Sequence, residues 1–276
     1  MKIIHLSDVH LTGDGTDLFC GNPQDRFDTC IAHANARHGD ADLCVITGDL
    51  THHGEEEAYV RFKASVEQLV MPTELLLGNH DDRQAFKKHF PERRTSAGGF
   101  VQTAFGLGDH RIVLMDTNEP GTHAGHYCER RLTWLENTLI DGRGQPTLVF
   151  MHHHPMPVGV AAMDRIGQRD GKALRALLAR HSPSIRHMFF GHCHLPMSGS
   201  WRGIPFSSIK SLNHPLLPEY DEPTISIADT PPHYAVAFVT AESVVIHHEE
   251  FLFDGKRWDG IGTTVAAWSG TQTASK

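Results

Sequence analysis

"KIIHLSDVH", residues 2–10, carries the pattern that decides the fold. Lys2–Leu6 is short, apolar and rich in β-formers, so it reads as a strand, and the polar residues arrive only as it ends. It delivers Asp8 and His10. The same design returns four times. "CVITGD" (44–49) delivers Asp49, and "LLLGNHD" (75–81) delivers Asn79, His80 and Asp81. "LVFMH" (148–152) delivers His152, and "MFFGHCH" (188–194) delivers His192 and His194. In open α/β sheets, ligands bind outside the carboxyl ends of the strands. Five strand ends can therefore aim their polar tips at one place.

Helical patterns separate these strands. Phe27, Cys30, Ile31 and Ala34 recur at helical spacing and predict a helix over 24–38. "EEEAYVRFKASVEQL" (55–69) is amphipathic, with acids in its first turn that favour the helix dipole. A short helix is expected near 82–90, and others over 129–141 and within "GKALRALLARH" (171–181). "FVQTAFGL" and "RIVLMD" read as a hairpin-connected pair. "WRGIPFSSIKS", "HYAVAFVTA" and "SVVIHHEEFLF" predict antiparallel β structure in the last third. Residues 212–232 hold five of the chain's 15 prolines and read as an irregular excursion, a cap or an oligomer contact. The expectation is one α/β domain over 1–259 with layered sheets and a C-terminal β segment, followed by a flexible tail, 260–276.

Composition narrows the function. A chain of 276 residues can bury a sizeable core. The net charge of −8, with no basic run, argues against a general nucleic-acid binder. No apolar stretch approaches the roughly 20 residues needed to span a bilayer, and "MKIIHLSDVH" turns polar too early for a signal peptide. The five cysteines are scattered, odd in number and without a CxxC pair, which fits a reducing, cytoplasmic setting. Twenty-two histidines prompt a search for metal-ligand spacing.

That spacing is present. In extended chain, residues i and i+2 point the same way, so Asp8 and His10 can share a target, as can His192 and His194. Gly48, Gly78 and Gly191 each precede a candidate ligand and permit close backbone approach. Asp8, His10, Asp49 and His194 could hold one metal ion; Asp49, Asn79, His152 and His192 could hold another. The two oxygens of Asp49 allow it to bridge ions roughly 3.5–4 Å apart. All donors are nitrogen or oxygen, which favours iron, manganese, zinc or cobalt and makes calcium a poor fit. Two divalent ions, two carboxylates and a bridging hydroxide leave a net charge of about +1, a receptor for an anionic phosphoester whose nucleophile is that hydroxide. Among His152, His153 and His154, the first ends the apolar run. Pro155 favours extended geometry at His154, so alternation keeps His154 open as well.

D-x-H, GD, GNHD, a strand-end His and GHxH together resemble the signature of the calcineurin-like metallophosphoesterases. The likeness covers roughly residues 1–195 and is closest to the class III cyclic-nucleotide phosphodiesterases and bacterial glycerophosphodiesterases. "FMHHHPMPVG" (150–159) and "WLENTL" (134–139) are similar to segments of that branch. The resemblance implies a four-layer α/β/β/α sandwich, a dinuclear site with the ligand sets above, and His152 as the ligand of the three. It implies that His80 contacts the phosphoryl group, with Asn79 and His153 as further substrate contacts. Asp49 and His80 would be the catalytic pair. "THHG" (51–54) departs from relatives that carry a cysteine there, so no disulfide is expected. His123, His126 and His214 could touch substrate, but the favoured reading of each is an exposed loop histidine.

The expected activity is hydrolysis of small phosphodiesters, cyclic nucleotides such as cAMP or glycerophosphodiesters, in a protein that forms homo-oligomers through its C-terminal region. A phosphomonoesterase or phosphoprotein phosphatase on the same scaffold would need arginines that read a dianion, with Arg83 and Arg165 as candidates. A nuclease is disfavoured by charge. A non-catalytic scaffold would lack ligands, and none is missing.

Overall fold

The computed structural model describes residues 1–169 and 171–256. The expected tail, 260–276, lies outside the described residues. The chain begins β1 (Lys2–Leu6), α1 (Pro23–His38), β2 (Leu43–Ile46), α2 (Glu56–Val66), β3 (Thr73–Leu75) and α3 (Arg83–His89). It continues β4 (Thr103–Leu107), β5 (His110–Met115), α4 (Glu129–Asp141), β6 (Thr147–Met151), α5 (Ala161–Ile166), α6 (Lys172–Arg180) and β7 (Ile185–Phe190). It closes with β8 (Met197–Trp201), β9 (Ile204–Ser208), β10 (Leu216–Leu217), β11 (Ser226–Ile227), β12 (His233–Val239) and β13 (Val244–Glu250).

The strands form a five-stranded sheet, β13-β12-β1-β2-β3, a six-stranded sheet, β4-β5-β6-β7-β9-β8, and a small pair, β10-β11. β1, β2 and β3 are parallel in the first sheet, and β5, β6, β7 and β9 in the second. The period-2 alternation of each strand explains the layering. Ile3, Val45, Ile112, Leu148, Phe150, Phe189 and Ala237 point between the sheets and form one core. Their neighbours Ile4, Leu6, Cys44 and Ile46 point outward against Phe27, Tyr59, Phe62 and Phe86 of α1, α2 and α3. Val149, Met151, Met188 and Phe190 point outward the other way, against Leu135, Leu139, Leu174 and Leu178 of α4 and α6. The result is four layers, α/β/β/α.

Local signals hold the helices in place. In α1, Pro23 occupies the first turn and the Asn22 side chain accepts hydrogen bonds from the N–H groups of Gln24 and Asp25. The Pro-rich excursion contains β10 and β11, antiparallel through Leu216 and Ile227. The two main sheets bring the carboxyl ends of β1, β2 and β3 beside those of β6 and β7, and the site lies there. Among the described residues no helix is long and apolar enough to cross a membrane.

Candidate metal centre

Asp8, His10, Asp49 and His194 are buried together, with one donor atom from each lying within 4.8 Å of the others. His10 Nε2 lies 3.2 Å from His194 Nε2 and 3.6 Å from Asp49 Oδ2. His194 Nε2 lies 3.2 Å from Asp8 Oδ1. Asp49 Oδ2 also faces the second group, 3.4 Å from His152 Nε2, which is itself 3.2 Å from Asn79 Oδ1. His192 groups with His152 and His153. Every sequence-derived metal candidate therefore reaches this one region. Asp49 turns a single oxygen, Oδ2, to both groups, because its Oδ1 accepts the His80 backbone N–H at 2.9 Å.

Backbone carbonyls orient the imidazoles. His152 Nδ1 donates to Thr47 O at 2.9 Å, His194 Nδ1 to His214 O at 2.9 Å, and His192 Nε2 to Ile166 O at 3.0 Å. A proton held on one ring nitrogen leaves the other with its lone pair free, the arrangement a ligating histidine needs. Three imidazoles with directed lone pairs and two carboxylates, all buried, form a donor set that fits borderline divalent cations. His153 differs: it is buried, its Nδ1 pairs with Thr117 Oγ1 at 2.8 Å and its Nε2 with His123 O at 3.2 Å. His154 is buried beside Cys193, with Nδ1 3.3 Å from Sγ and Nε2 3.8 Å from Asp164 Oδ1.

Burial disfavours charge throughout the cluster, yet the carboxylates draw protons onto the facing rings. Against burial, Asp49 and Asp8 push His152 up to about 9, and Asp8 raises His194. Asp8 and Asp49 stay below the usual carboxylate range, since the attraction of His194 and His152 outweighs their burial. His10 is pushed down by burial and by the histidines around it.

The backbone that presents these groups is not the extended chain expected from the i, i+2 pattern. Asp8, His10, Asp49, His192 and His194 all have positive φ, between 49° and 66°. The side chains still converge, because in each pair the intervening residue, Val9 or Cys193, turns into an apolar core. Left-handed conformations in non-glycine residues are uncommon and cluster at functional sites. Gly78 shows how tight the packing is: a Cβ there would meet Asp49 Oδ1 at 2.1 Å. Asp81, the last residue of GNHD, ties the loops together by accepting N–H groups from Gly78, Leu50 and Thr51 at 2.9–3.1 Å.

A cleft of about 480 Å³ opens above the cluster. Asp49, Asn79, His80, His192 and His194 line it, together with His52, His123 and His214. His214 is thus not an exposed loop histidine; it is buried, with its ring 4.4 Å from that of His10. His52 brings its Nδ1 to 3.3 Å from His10 Nδ1 and stacks on His80. Sequence reading passed over His52 as a site residue because it follows the strand end by six residues; "THHG" beside GD was the available signal. His126 does not line the cleft, and neither arginine candidate does. Arg83 makes a two-pronged pair with buried Asp116, at 2.8 and 2.9 Å, and Arg165 is exposed in an adjoining depression that shares His123 and Ile166 with the cleft.

The chain is similar to known proteins. A probable cyclic nucleotide phosphodiesterase of Rhodopseudomonas palustris is 38% identical over 261 residues, covering 92% of this chain and 94% of its own length. A glycerophosphodiester phosphodiesterase of Enterobacter lignolyticus is 27% identical over 279 residues, covering 98% and 93%. A dimetal phosphatase from Danio rerio superposes with a TM-score of 0.68 at 13% identity over 91% of this chain and 96% of its own, a likeness of fold. The sequence model of calcineurin-like phosphoesterases matches residues 1–196, and with the sheets and strand-end cluster described above, the chain belongs to that family.

Proposed function

We propose that this protein is a metal-dependent phosphodiesterase acting on small diesters, 3',5'-cyclic nucleotides such as cAMP and glycerophosphodiesters. The observation that carries the reading is Asp49 Oδ2, poised 3.6 Å from His10 Nε2 on one side and 3.4 Å from His152 Nε2 on the other. Asp8, His10, Asp49 and His194 would hold one ion. Asp49, Asn79, His152 and His192 would hold the second, with iron, manganese, zinc or cobalt suited to these donors. Bound there, two ions lower the pKa of water and neutralise charge on the phosphoryl group.

The chain's own residues do the rest. Asn79 and His80 line the cleft, beside which a phosphoryl group would sit. The His80 backbone N–H fixes Asp49, and its Nδ1 donates to His52 O at 2.7 Å, leaving Nε2 for the substrate. His153, tied at both ring nitrogens, would position the His152 loop rather than touch substrate. Among the described residues the cleft lining contains no lysine or arginine, which favours a diester over a phosphomonoester with its second charge. The same lack of cations and the net charge of −8 disfavour a nucleic-acid polymer. Five free cysteines support a cytoplasmic location.

We take 1–259 as one domain, since β12 and β13 extend the sheet that β1 begins. Exposed Leu217 and Tyr220 support self-association through the C-terminal excursion, which a monomeric mass by light scattering would remove. The test of function compares bis(p-nitrophenyl) phosphate with p-nitrophenyl phosphate on protein stripped of metal and reloaded with manganese. Diesterase activity lost in both Asp49→Ala and His152→Ala is expected. A monoester preference moves the protein to the phosphatases, and full activity in His152→Ala means the wrong histidine of the three was chosen.

A further inference from the structure

Phe19 occupies a conformation that a bulky side chain avoids. Its φ is +42°, and it sits in a tight turn closed by two hydrogen bonds of 3.0 Å between Leu18 and Gly21. The ring is 69% exposed at the rim of the cleft. Such strain persists only where the surroundings over-determine it, and they do so here. Arg26 donates to Cys20 O, to Asn213 O and to Asp229 Oδ1, and Asn213 Nδ2 reaches Leu18 O at 3.3 Å. The turn is thereby bolted to the excursion that carries β10 and β11. The ring lies 5.0 Å from that of His214, which in turn packs on His10. Leu216, Ile225 and Ile227, with Met163 and Ile166, complete the apolar part of the lining, and Ile225 is 52% exposed.

We propose that Phe19 is a specificity-determining residue: its ring is a stacking platform that selects phosphodiesters carrying a nucleobase over those carrying only glycerol. The proposal rests on the phosphodiesterase reading above. An exposed ring that lines the same cleft as several aliphatic side chains gains most from a flat, weakly hydrated group, and every nucleobase offers such a face. A glycerol arm is small and polar and gains little there. The polar floor is left to the phosphoryl group. With no lysine or arginine among the described residues that line the cleft, the arm of the substrate is sorted by shape and apolar contact, not by charge.

The test compares the wild type, Phe19→Ala and Phe19→Trp on 3',5'-cyclic AMP and on glycerophosphoethanolamine, with adenosine monophosphate binding measured by calorimetry. Loss of one stacking contact predicts a KM for cyclic AMP raised about tenfold to a hundredfold in Phe19→Ala. The value for the glycerol diester should stay within about twofold, and Phe19→Trp should retain the preference. Equal losses on both diesters, or none, overturn the platform. If the wild type cleaves neither diester while adenosine monophosphate binds in a Phe19-dependent way, the phosphodiesterase reading fails and the platform stands.

Discussion

Single side chains at this site are held by their neighbours, and that sets what a substitution does. His52 is not in either proposed ligand set, yet its Nδ1 faces His10 Nδ1 at 3.3 Å and so fixes the ring that would ligate through Nε2. Outer partners of ligating histidines typically contribute 10- to 100-fold to metal affinity. His52→Ala should therefore weaken manganese binding about 10- to 100-fold in a chelator competition, with thermal stability of the stripped protein little changed. Unaltered affinity would mean that His10 needs no such partner. The candidate ligands were legible as residues because each follows an apolar strand. Their backbone was not: nothing in "SDVH" or "GHCH" distinguishes an extended tip from the left-handed turns at Asp8, His10, His192 and His194. Phe19 escaped, and His214 was legible only as a less favoured substrate contact, for a related reason, since both lie in loops whose folding depends on distant partners such as Arg26 and Asn213.

At the level of elements, the strands that supply the core were readable from period and composition. Those held by pairing alone were not. β8, "MSGSW", has weak strand propensity and exists through its ladder with β9. β10 and β11 are two residues each, and α5 is six residues with no side-chain cap, too short for a periodic signal. The inter-sheet layer carries a consequence that apolar patterning hides. His5 on β1 is buried between the sheets, 2.9 Å from Thr47 Oγ1, and burial lowers its pKa to about 3. His187 on β7 bonds Ser207 Oγ at 2.9 Å, and burial lowers it to about 4. Both folded values lie below the ordinary 6.5, so the stability these rings contribute is present above pH 6.5 and is lost as pH falls towards 4 and 3. Each should cost about 2 kcal/mol between pH 7 and pH 5. Denaturant unfolding of wild type, His5→Gln and His187→Gln at both pH values checks this; equal pH dependence in all three would show that these rings are not the acid-sensitive groups.

For the whole molecule, the two sheets meet through two different kinds of contact. One is the apolar layer of Ile3, Val45, Leu148, Phe150 and Phe189, which spans the interface and needs no ion. The other is the polar cluster at the carboxyl ends, where Asp8, Asp49 and Asn79 come from one sheet and His152, His192 and His194 from the other. Ions held there would cross-link the sheets, while their removal leaves buried carboxylates to be balanced by protons on His152 and His194. Because the apolar layer is independent, stripping metal should loosen the molecule without unfolding it. A ligand at a hundred times its Kd stabilises the folded state by about 2.7 kcal/mol, which for a chain of this size moves Tm by roughly 5–10 °C. Calorimetry of stripped and manganese-reloaded protein should show two cooperative transitions separated by about that interval, with unchanged far-ultraviolet circular dichroism below both. Coincident transitions would mean that the cluster does not bind ions tightly enough to join the sheets. Loss of the circular dichroism signal on stripping would mean that the apolar layer cannot hold them together alone.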